Sequence, residues 1–483
     1  MSVRVWNTLS RRAEVLEPLE PPRLRLFVCG PTVYDAAHLG HAKTYTQFDL
    51  IARHLRLRGF DVEYVQNITD IDDKIIARAH ELGVTPAALA REEERRFRED
   101  MAALGNTSVD RYARASDFVA QIVSQVERLV AAGHAYELPD GWYFDIASFP
   151  DYGKLARRTK LGPEDSVSRV DENPLKRHPG DFALWKRRKP GEPYWDSALG
   201  EGRPGWHIED TAITETLFGA QYDIHGGAVD LIFPHHEAEI AQMESISGRA
   251  PLARYWLHTG FLTLRDAKMA KSLGNVFTVR ATLAETSPRA LRFFLLSHRY
   301  RSPVEFDGGL LRSAASALRR LENFHVRLRD AEERGPQARE VRDVREAVLR
   351  ALDDDFDTPA ALAILFEFVR EQNGRSRAAA GSRAMLDDVD RVFGVLAVEP
   401  ETSDDDPWVS GEVERRDRLR RERRFAEADA IRERLRERGI LVEDTGGSSR
   451  WYREQRAPRG SDQGSDQGVA GRERRGTGGS SGD

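Results

Sequence analysis

Residues 24–41 read LRLFVCGPTVYDAAHLGH. Leu24–Cys29 is a short apolar run broken by Gly30-Pro31, the pattern of a buried strand entering a tight turn. A polar stretch with recurring apolar positions follows from His41 to Arg58 and predicts a helix closed at Gly59. Asp61–Val65 then reads as a second strand. Strand, turn, helix and strand at this spacing form a βαβ unit, so a parallel sheet is expected, with nucleotide-like ligands at the ends of its strands.

The rest of the chain constrains the class. Its 483 residues exceed what one core usually organises, so several domains are expected. With 40% hydrophobic and 31% charged residues, the composition is that of a globular protein with a charged surface. No apolar run has the length needed to cross a bilayer, and Met1–Pro18 lacks the apolar core of a secretion signal. A cytoplasmic protein without a membrane partner is therefore expected. Cys29 is the single cysteine, so no intrachain disulfide can form and its role lies in packing, reactivity or metal binding. The net charge of −6 argues against a histone-like nucleic-acid binder but leaves room for a local basic face.

Texture divides the chain. Residues 1–116 and 200–286 are expected to form the two halves of a Rossmann-like catalytic domain, with the sheet resuming near Trp206. Residues 117–199, with WYFD, SFPDYGKL and DFALWKRRKPGEPYWDS, read as short strands and turns inserted between them. After Ser287-Pro288 the pattern is helical: a stem over 287–340 and a bundle over 341–403. Leu310–Arg329, Val341–Leu352 and Pro359–Glu371 carry apolar residues at three- and four-residue steps, the last with Thr358 as cap. Residues 404–455 read as a linker, charged helices and a hairpin, ILVEDT-GGSS-RWYR, a small α+β module. The Gly/Ser-rich residues 456–483, with their SDQG repeat, have the composition of a disordered tail.

Two motifs carry chemistry. In His38-Leu39-Gly40-His41, two imidazoles three residues apart open a helix, whose N-terminus presents free N–H groups and a positive dipole to phosphates. Gly40 leaves space for a nucleotide base. Lys268-Met269-Ala270-Lys271-Ser272 sets two lysines on a loop bounded by Gly274, able to neutralise charge developing on pyrophosphate. Each alone has an ordinary reading, as a chance helix start or a solvated surface loop. Together they match the paired signature motifs of class I aminoacyl-tRNA synthetases.

Within that class, FVCGPTVYDAAHLGHAKTY, YVQNITDIDDKI, SFPDYGKL, DFALWK, GRPGWHIE, DIHGGAVDLIFPHHEAE and DDFDTPAAL, in this order, resemble the cysteinyl-tRNA synthetases. RFAEADAIRERLRERGILVEDT resembles that family's anticodon-binding end. The resemblance implies ATP-dependent activation of L-cysteine and its transfer to tRNA(Cys), with Mg²⁺ accompanying ATP and with a monomeric enzyme. It assigns catalysis to His38, His41, Lys268 and Lys271. ATP binding falls to Pro31, Thr32, His38, Gly40, His41, Gly227, Asp230 and Lys271, and substrate binding to Thr69, Trp206 and His235.

Cys29, Asp210, His235 and Glu239 fall on the family's zinc ligands. The residues alone leave Cys29 open between a buried thiol and a ligand, although His235 and Glu239, four apart, would share one helical face. The family pattern GWHIEC here reads GWHIED, so Asp210 stands where a cysteine is usual. Carboxylate keeps the formal charge of a thiolate but is harder. KMAKS likewise carries Ala270 in place of the usual serine, and Ala228 replaces a glycine. Trp451 and Arg453 are candidates for contacting a splayed anticodon base. Two other readings remain: a ligase joining activated cysteine to a small-molecule amine, and a non-catalytic RNA-binding paralogue. The anticodon-like end argues against the first, and the intact HLGH and lysines against the second.

Overall fold

The computed structural model of the chain describes residues 2–158, 173–264, 267–268, 277–330, 337–396, 407–438, 440–445 and 448–453. The chain forms two compact units, residues 1–401 and 402–483.

The first unit opens with a hairpin, β1 (Arg4–Asn7) and β2 (Arg12–Val15), followed by β3 (Arg23–Val28), α1 (Leu39–Leu57) and β4 (Asp61–Ile68). The βαβ unit is therefore present, and β4 runs three residues beyond Val65. Then come α2 (Asp73–Leu82), α3 (Pro86–Ala103), β5 (Arg111–Arg114) and α4 (Val119–Ala131). The strands β6 (Ala135–Leu138), β7 (Gly141–Phe144), β8 (Phe182–Arg187) and β9 (Gly202–Pro204) form an antiparallel sheet of their own. Trp185 is fully buried in that layer beside Phe144, Phe182 and Leu184.

The large sheet does not resume at Trp206. Trp206–Phe218 is a helix, α5, and the next strand is β10 (Tyr222–Ala228). Helix α5 is buried on nearly every side, including at Glu209, Asp210 and Thr211. It therefore lacks the one-sided apolar stripe by which a helix announces itself in sequence. Helix α6 (Glu237–Ser247) and β11 (Ala253–Thr259) follow, then β12 (Leu262–Leu264), β13 (Ala267–Lys268), α7 (Val279–Leu283), α8 (Pro288–Leu296) and β14 (Val304–Glu305).

Five strands make the main sheet in the order β11-β10-β3-β4-β5, all parallel. This is the doubly wound order, reversing between β3 and β10, and such a reversal opens a crevice at the carboxyl ends of the strands. Helix α1 packs with most of its length buried, from Leu39 to Leu55. Asp49 of α1 accepts from Arg292 of α8 at 2.6 Å, and Arg292 also donates to Leu104 O, Asn106 Oδ1 and Phe393 O. One buried ion pair thus ties four segments of the unit together.

Four helices complete the unit: α9 (Gly308–Asp330), α10 (Arg339–Asp353), α11 (Thr358–Asn373) and α12 (Ser382–Phe393). The cap of α11 is Asp357, whose side chain accepts from Ala360 N at 3.2 Å. Thr358 is the first helical residue and Pro359 the second, a place where a missing N–H costs nothing. The second unit consists of α13 (Pro407–Arg421), α14 (Phe425–Glu437) and the hairpin β15 (Ile440–Thr445)/β16 (Ser448–Arg453). Val409, Val413, Leu419, Ala428, Ile431, Leu435, Ile440 and Val442 are its core. Of the expected linker 404–407, Pro407 instead opens α13, and residues 404–406, like the tail 456–483, lie outside the described residues.

Candidate active site

His38 is the N-cap of α1. Its Nδ1 accepts from His41 N at 3.2 Å, and His41 Nδ1 accepts from His38 N at 3.4 Å. This reciprocal capping satisfies two of the helix's orphan donors. The two rings stack with centroids 3.7 Å apart and 13° between planes. Gly40 makes that possible, because a Cβ there would lie 2.9 Å from two atoms of the His38 ring. The glycine expected to leave space for a nucleotide base also makes room for an imidazole.

A segment just beyond the second motif is brought here from far along the chain. Phe277–Val279 runs beside Ala37–Leu39: Leu39 N donates to Phe277 O at 3.0 Å, Val279 N to Ala37 O at 2.8 Å, and His38 and Thr278 form an antiparallel bridge. On the other flank, the backbone of Ala267–Lys268 pairs with β12. Lys271 lies outside the described residues, as does the rest of 269–276. Lys43 of α1 anchors the same region, donating to the carbonyls of Gly260, Tyr300 and Ser302 at 2.5, 3.1 and 3.1 Å. Burial pulls its ammonium down to about 7.

Pro31–Val33 leaves β3 alongside the end of β4. Thr69 N donates to Pro31 O at 3.1 Å, and Thr32 bridges Thr69. Gly30 permits this approach, since a Cβ there would fall 1.7 Å from Asn67 O. Asn67 joins both sides of the crevice, its Oδ1 accepting from Gly30 N and its Nδ2 donating to Asp210 Oδ1, each at 2.5 Å. Trp206, half-buried at the start of α5, stacks on His235 at 4.3 Å and 17°. Gly227 is buried in β10, whereas Asp230 is exposed in the turn beyond it.

Cys29, Asp210, His235 and Glu239 come from the end of β3, from α5, from the irregular turn 232–236 and from α6. They present donor atoms within 4.8 Å of one another, and all four are buried. Cys29 Sγ lies 3.0 Å from Asp210 Oδ2 and 3.8 Å from Glu239 Oε1. His235 Nε2 is 3.0 Å from Asp210 Oδ2 and 3.1 Å from Glu239 Oε1. A tetrahedral cation with bonds of about 2.0–2.3 Å needs donors roughly 3.2–3.8 Å apart. Among the described residues no lysine or arginine pairs with Asp210 or Glu239. Burial, then Asp210 and Glu239, push the Cys29 thiol well above its ordinary range, and burial with Asp210 does the same to Glu239. Glu239 Oε2 is buried without a hydrogen-bond partner. A thiol, two carboxylates and an imidazole with no fixed cation to balance them fit a divalent metal ion.

Further histidines that the sequence reading did not single out surround this cluster. His207 Nδ1 is 2.7 Å from His235 Nδ1, and His258 Nε2 is 2.8 Å from His236 Nδ1. His225 Nε2 and His236 Nε2 approach Cys29 Sγ at 3.6 and 3.2 Å. Desolvation holds His207, His225 and His236 well below the ordinary imidazole range and His258 at about 3. The available signals were the doubled histidine of FPHHE and the histidine of DIHGG.

Residues 15–316 match the family profile for the class I (C) tRNA synthetase catalytic domain, and residues 347–397 that for the DALR domain. The chain is 45% identical over 455 residues to the cysteine–tRNA ligase of Thermoplasma acidophilum, covering 93% of this chain and all of that protein. It is equally 45% identical over 468 residues to that of Alkalilimnicola ehrlichii, covering 94% of this chain and 100% of the relative. The chain belongs to the cysteine–tRNA ligase family.

Solved class I synthetases share the family's fold. A Mycobacterium tuberculosis methionyl-tRNA synthetase in complex with methionyl-adenylate aligns with TM-score 0.57 at 18% identity, over 77% of this chain and 88% of that one. The ternary complex of an Agrobacterium radiobacter LeuRS with tRNA and LeuAMS aligns with TM-score 0.59 at 12% identity, over 79% and 84%. At these identities the likeness is one of fold. This chain carries the stacked histidine pair at the start of α1 and Asp210 in the buried cluster. No helix of the described residues is long and apolar enough to cross a membrane.

Proposed function

We propose that the chain is a cytoplasmic, monomeric cysteine–tRNA ligase that activates L-cysteine with ATP and transfers it to the 3′-terminal ribose of tRNA(Cys). The carrying observation is the near full-length similarity to cysteine–tRNA ligases, together with a histidine-capped helix start at the switch point of a doubly wound sheet.

In the first step a carboxylate oxygen of cysteine attacks the α-phosphorus of MgATP. The bond to the bridging oxygen breaks, and pyrophosphate leaves with that electron pair. His38 and His41, with the positive end of the α1 dipole, favour the charge that builds on the phosphates. Lys268 and Lys271 act on the leaving pyrophosphate, and Pro31, Thr32, Gly227 and Asp230 hold the nucleotide. Thr69 and Trp206 line the amino-acid pocket. Cys29, Asp210, His235 and Glu239 would hold zinc, which when bound stabilises a thiolate at neutral pH and so separates cysteine from serine. In the second step a terminal ribose hydroxyl attacks the adenylate's carbonyl carbon and AMP leaves.

The test is pyrophosphate exchange with cysteine, with and without tRNA, alongside charging of tRNA. Exchange without tRNA and charging with it are expected, and Lys271→Ala should slow exchange by at least about 10²-fold at saturating substrates. Adenylate formation without any charging would point instead to a ligase acting on a small-molecule amine.

A further inference from the structure

Lys43 stands two residues past His41 on α1 and is only 1% exposed. Its three N–H donors meet three backbone carbonyls, those of Gly260, Tyr300 and Ser302. Among the described residues no carboxylate pairs with it. A buried charge held by carbonyls alone is costly, and that cost shows in the ammonium drawn down to about 7. Holding the turn 299–302 does not require it. Asp355 already accepts from Tyr300 Oη at 2.8 Å and from Arg301 Nε at 2.7 Å, and Gly260 N donates to Tyr300 O at 2.9 Å.

The carbonyls that Lys43 gathers lie at the root of the lysine-bearing segment. Gly260 leads into β12 and Ser302 into β14. Strand β12 pairs in parallel with β14 and antiparallel with β13, where Thr263 stands opposite Lys268. Val304 N and Phe306 N join the two arms further, donating to Phe261 O and Thr263 O at 2.8 Å each. The arms come closest at Gly260, where a Cβ would fall 2.5 Å from Arg301 O and from the Ser302 carbonyl. At the far end, Phe277 O accepts from Leu39 N, and Thr278 bridges His38. Both ends of the stretch from Gly260 to Thr278 are thus fastened to the first turns of α1, one by Lys43 and the other at the HLGH motif.

We propose that Lys43 is a positioning residue for adenylate formation, setting the distance between the HLGH histidines and Lys268 without touching substrate. Because β13 hangs on β12 by backbone pairing, a shift at Gly260 is carried to Lys268. The ammonium is the link that fixes Gly260 against α1. An apolar side chain would leave the Gly260 and Ser302 carbonyls without that donor, and the root of β12 would relax away from the helix. The rate loss then appears in the step that expels pyrophosphate, the group on which Lys268 acts.

This role rests on the proposed adenylate chemistry, so the wild-type full chain is measured first. A wild type without cysteine-dependent pyrophosphate exchange would overturn that chemistry and the role with it. Lys43→Met should lower kcat for exchange at least about 10-fold, with KM for cysteine within about 2-fold. Single-turnover transfer to tRNA from the isolated adenylate complex should stay within about 3-fold, since pyrophosphate has already left. A general loss of packing would slow both steps. In a Lys268→Ala chain the same substitution should cost less than about 2-fold, because nothing is left to position. If Lys43→Met does not fold, Lys43→Gln is read in the same way, with a smaller expected loss. Wild-type exchange in the Lys43 variant, equal slowing of both steps, or an undiminished loss in the Lys268→Ala chain would overturn the assignment.

Discussion

At the scale of single residues, the start of α1 depends on what is missing from Gly40. The His38 and His41 rings stack and cap each other only because no Cβ stands 2.9 Å from the His38 ring. Gly40→Ala should therefore turn His38 away from the site while leaving the helix intact. Displacing a reacting-centre group by roughly 1 Å costs about 10²-fold in rate, so pyrophosphate exchange should fall by that order. Urea unfolding should move by no more than about 1 kcal/mol, as a lost cap and a gained alanine oppose each other. Equal losses in stability and rate would make Gly40 a folding residue only.

Between elements, two buried polar contacts lock α1 to the helical part of the first unit. Asp49 and Arg292 are almost completely buried and 2.6 Å apart. Asp49→Asn would strand the guanidinium, so a loss of about 3–5 kcal/mol is expected in urea unfolding. A loss below about 1 kcal/mol would show that the carbonyls bonded to Arg292 suffice alone.

The other contact titrates. His54 Nε2 lies 3.0 Å from Asp353 Oδ1 of α10, which Arg58 also engages. Burial holds the His54 pKa below its ordinary value, against the upward pull of Asp353. As pH falls below about 6.5 the unfolded chain takes up this proton and the folded chain does not. Stability therefore drops as pH falls from about 6.5 toward the lower folded pKa, and His54's contribution is complete above that window. His207, His225, His236 and His258 act in the same sense, so the informative quantity is a difference. His54→Gln should make the dependence shallower by up to about 1.4 kcal/mol per pH unit. Parallel profiles for wild type and variant would remove His54 from the account.

At the scale of the whole molecule, the chain divides into two compact units, residues 1–401 and 402–483. The crevice lies wholly in the first unit, and the second has a hydrophobic core of its own. Deleting 402–483 should leave pyrophosphate exchange within about 3-fold, because a unit with its own core folds alone. It should lower kcat/KM for tRNA charging by about 10-fold or more, a loss of at least about 1.4 kcal/mol in transition-state binding. Loss of exchange in a truncated chain with a native melting profile would mean that the second unit supports the chemistry. In that unit, several exposed arginines are engaged with nearby glutamates, as in Arg424–Glu427 and Arg436–Glu433. The side chains of Trp451 and Arg453 lie outside what the structure describes.

The sequence by itself determined whatever depends on neighbours along the chain. The βαβ unit at Arg23–Ile68 followed from one apolar run, one turn and one helical period. The periodic helices α9, α10 and α11 were legible to within a few residues, because an amphipathic helix writes its buried face at three- and four-residue steps. Where burial is all-round, as in α5, no such contrast is written and the element was misread as sheet. The exact cap of α11 was likewise decided by backbone geometry, as Asp357 and Thr358 are both competent caps by composition. Cys29, Asp210, His235 and Glu239 could be named together only through resemblance, since nothing local links β3 to α5 or α6. Tertiary structure alone set His225 and His236 against the same sulfur. Parallel pairing makes β10 the neighbour of β3, with Cys29 N bonded to Gly226 O, and so points a strand histidine at a residue some two hundred positions away. Proximity of that kind comes from the crossover of a doubly wound sheet, and strand order is not encoded in any local pattern of residues.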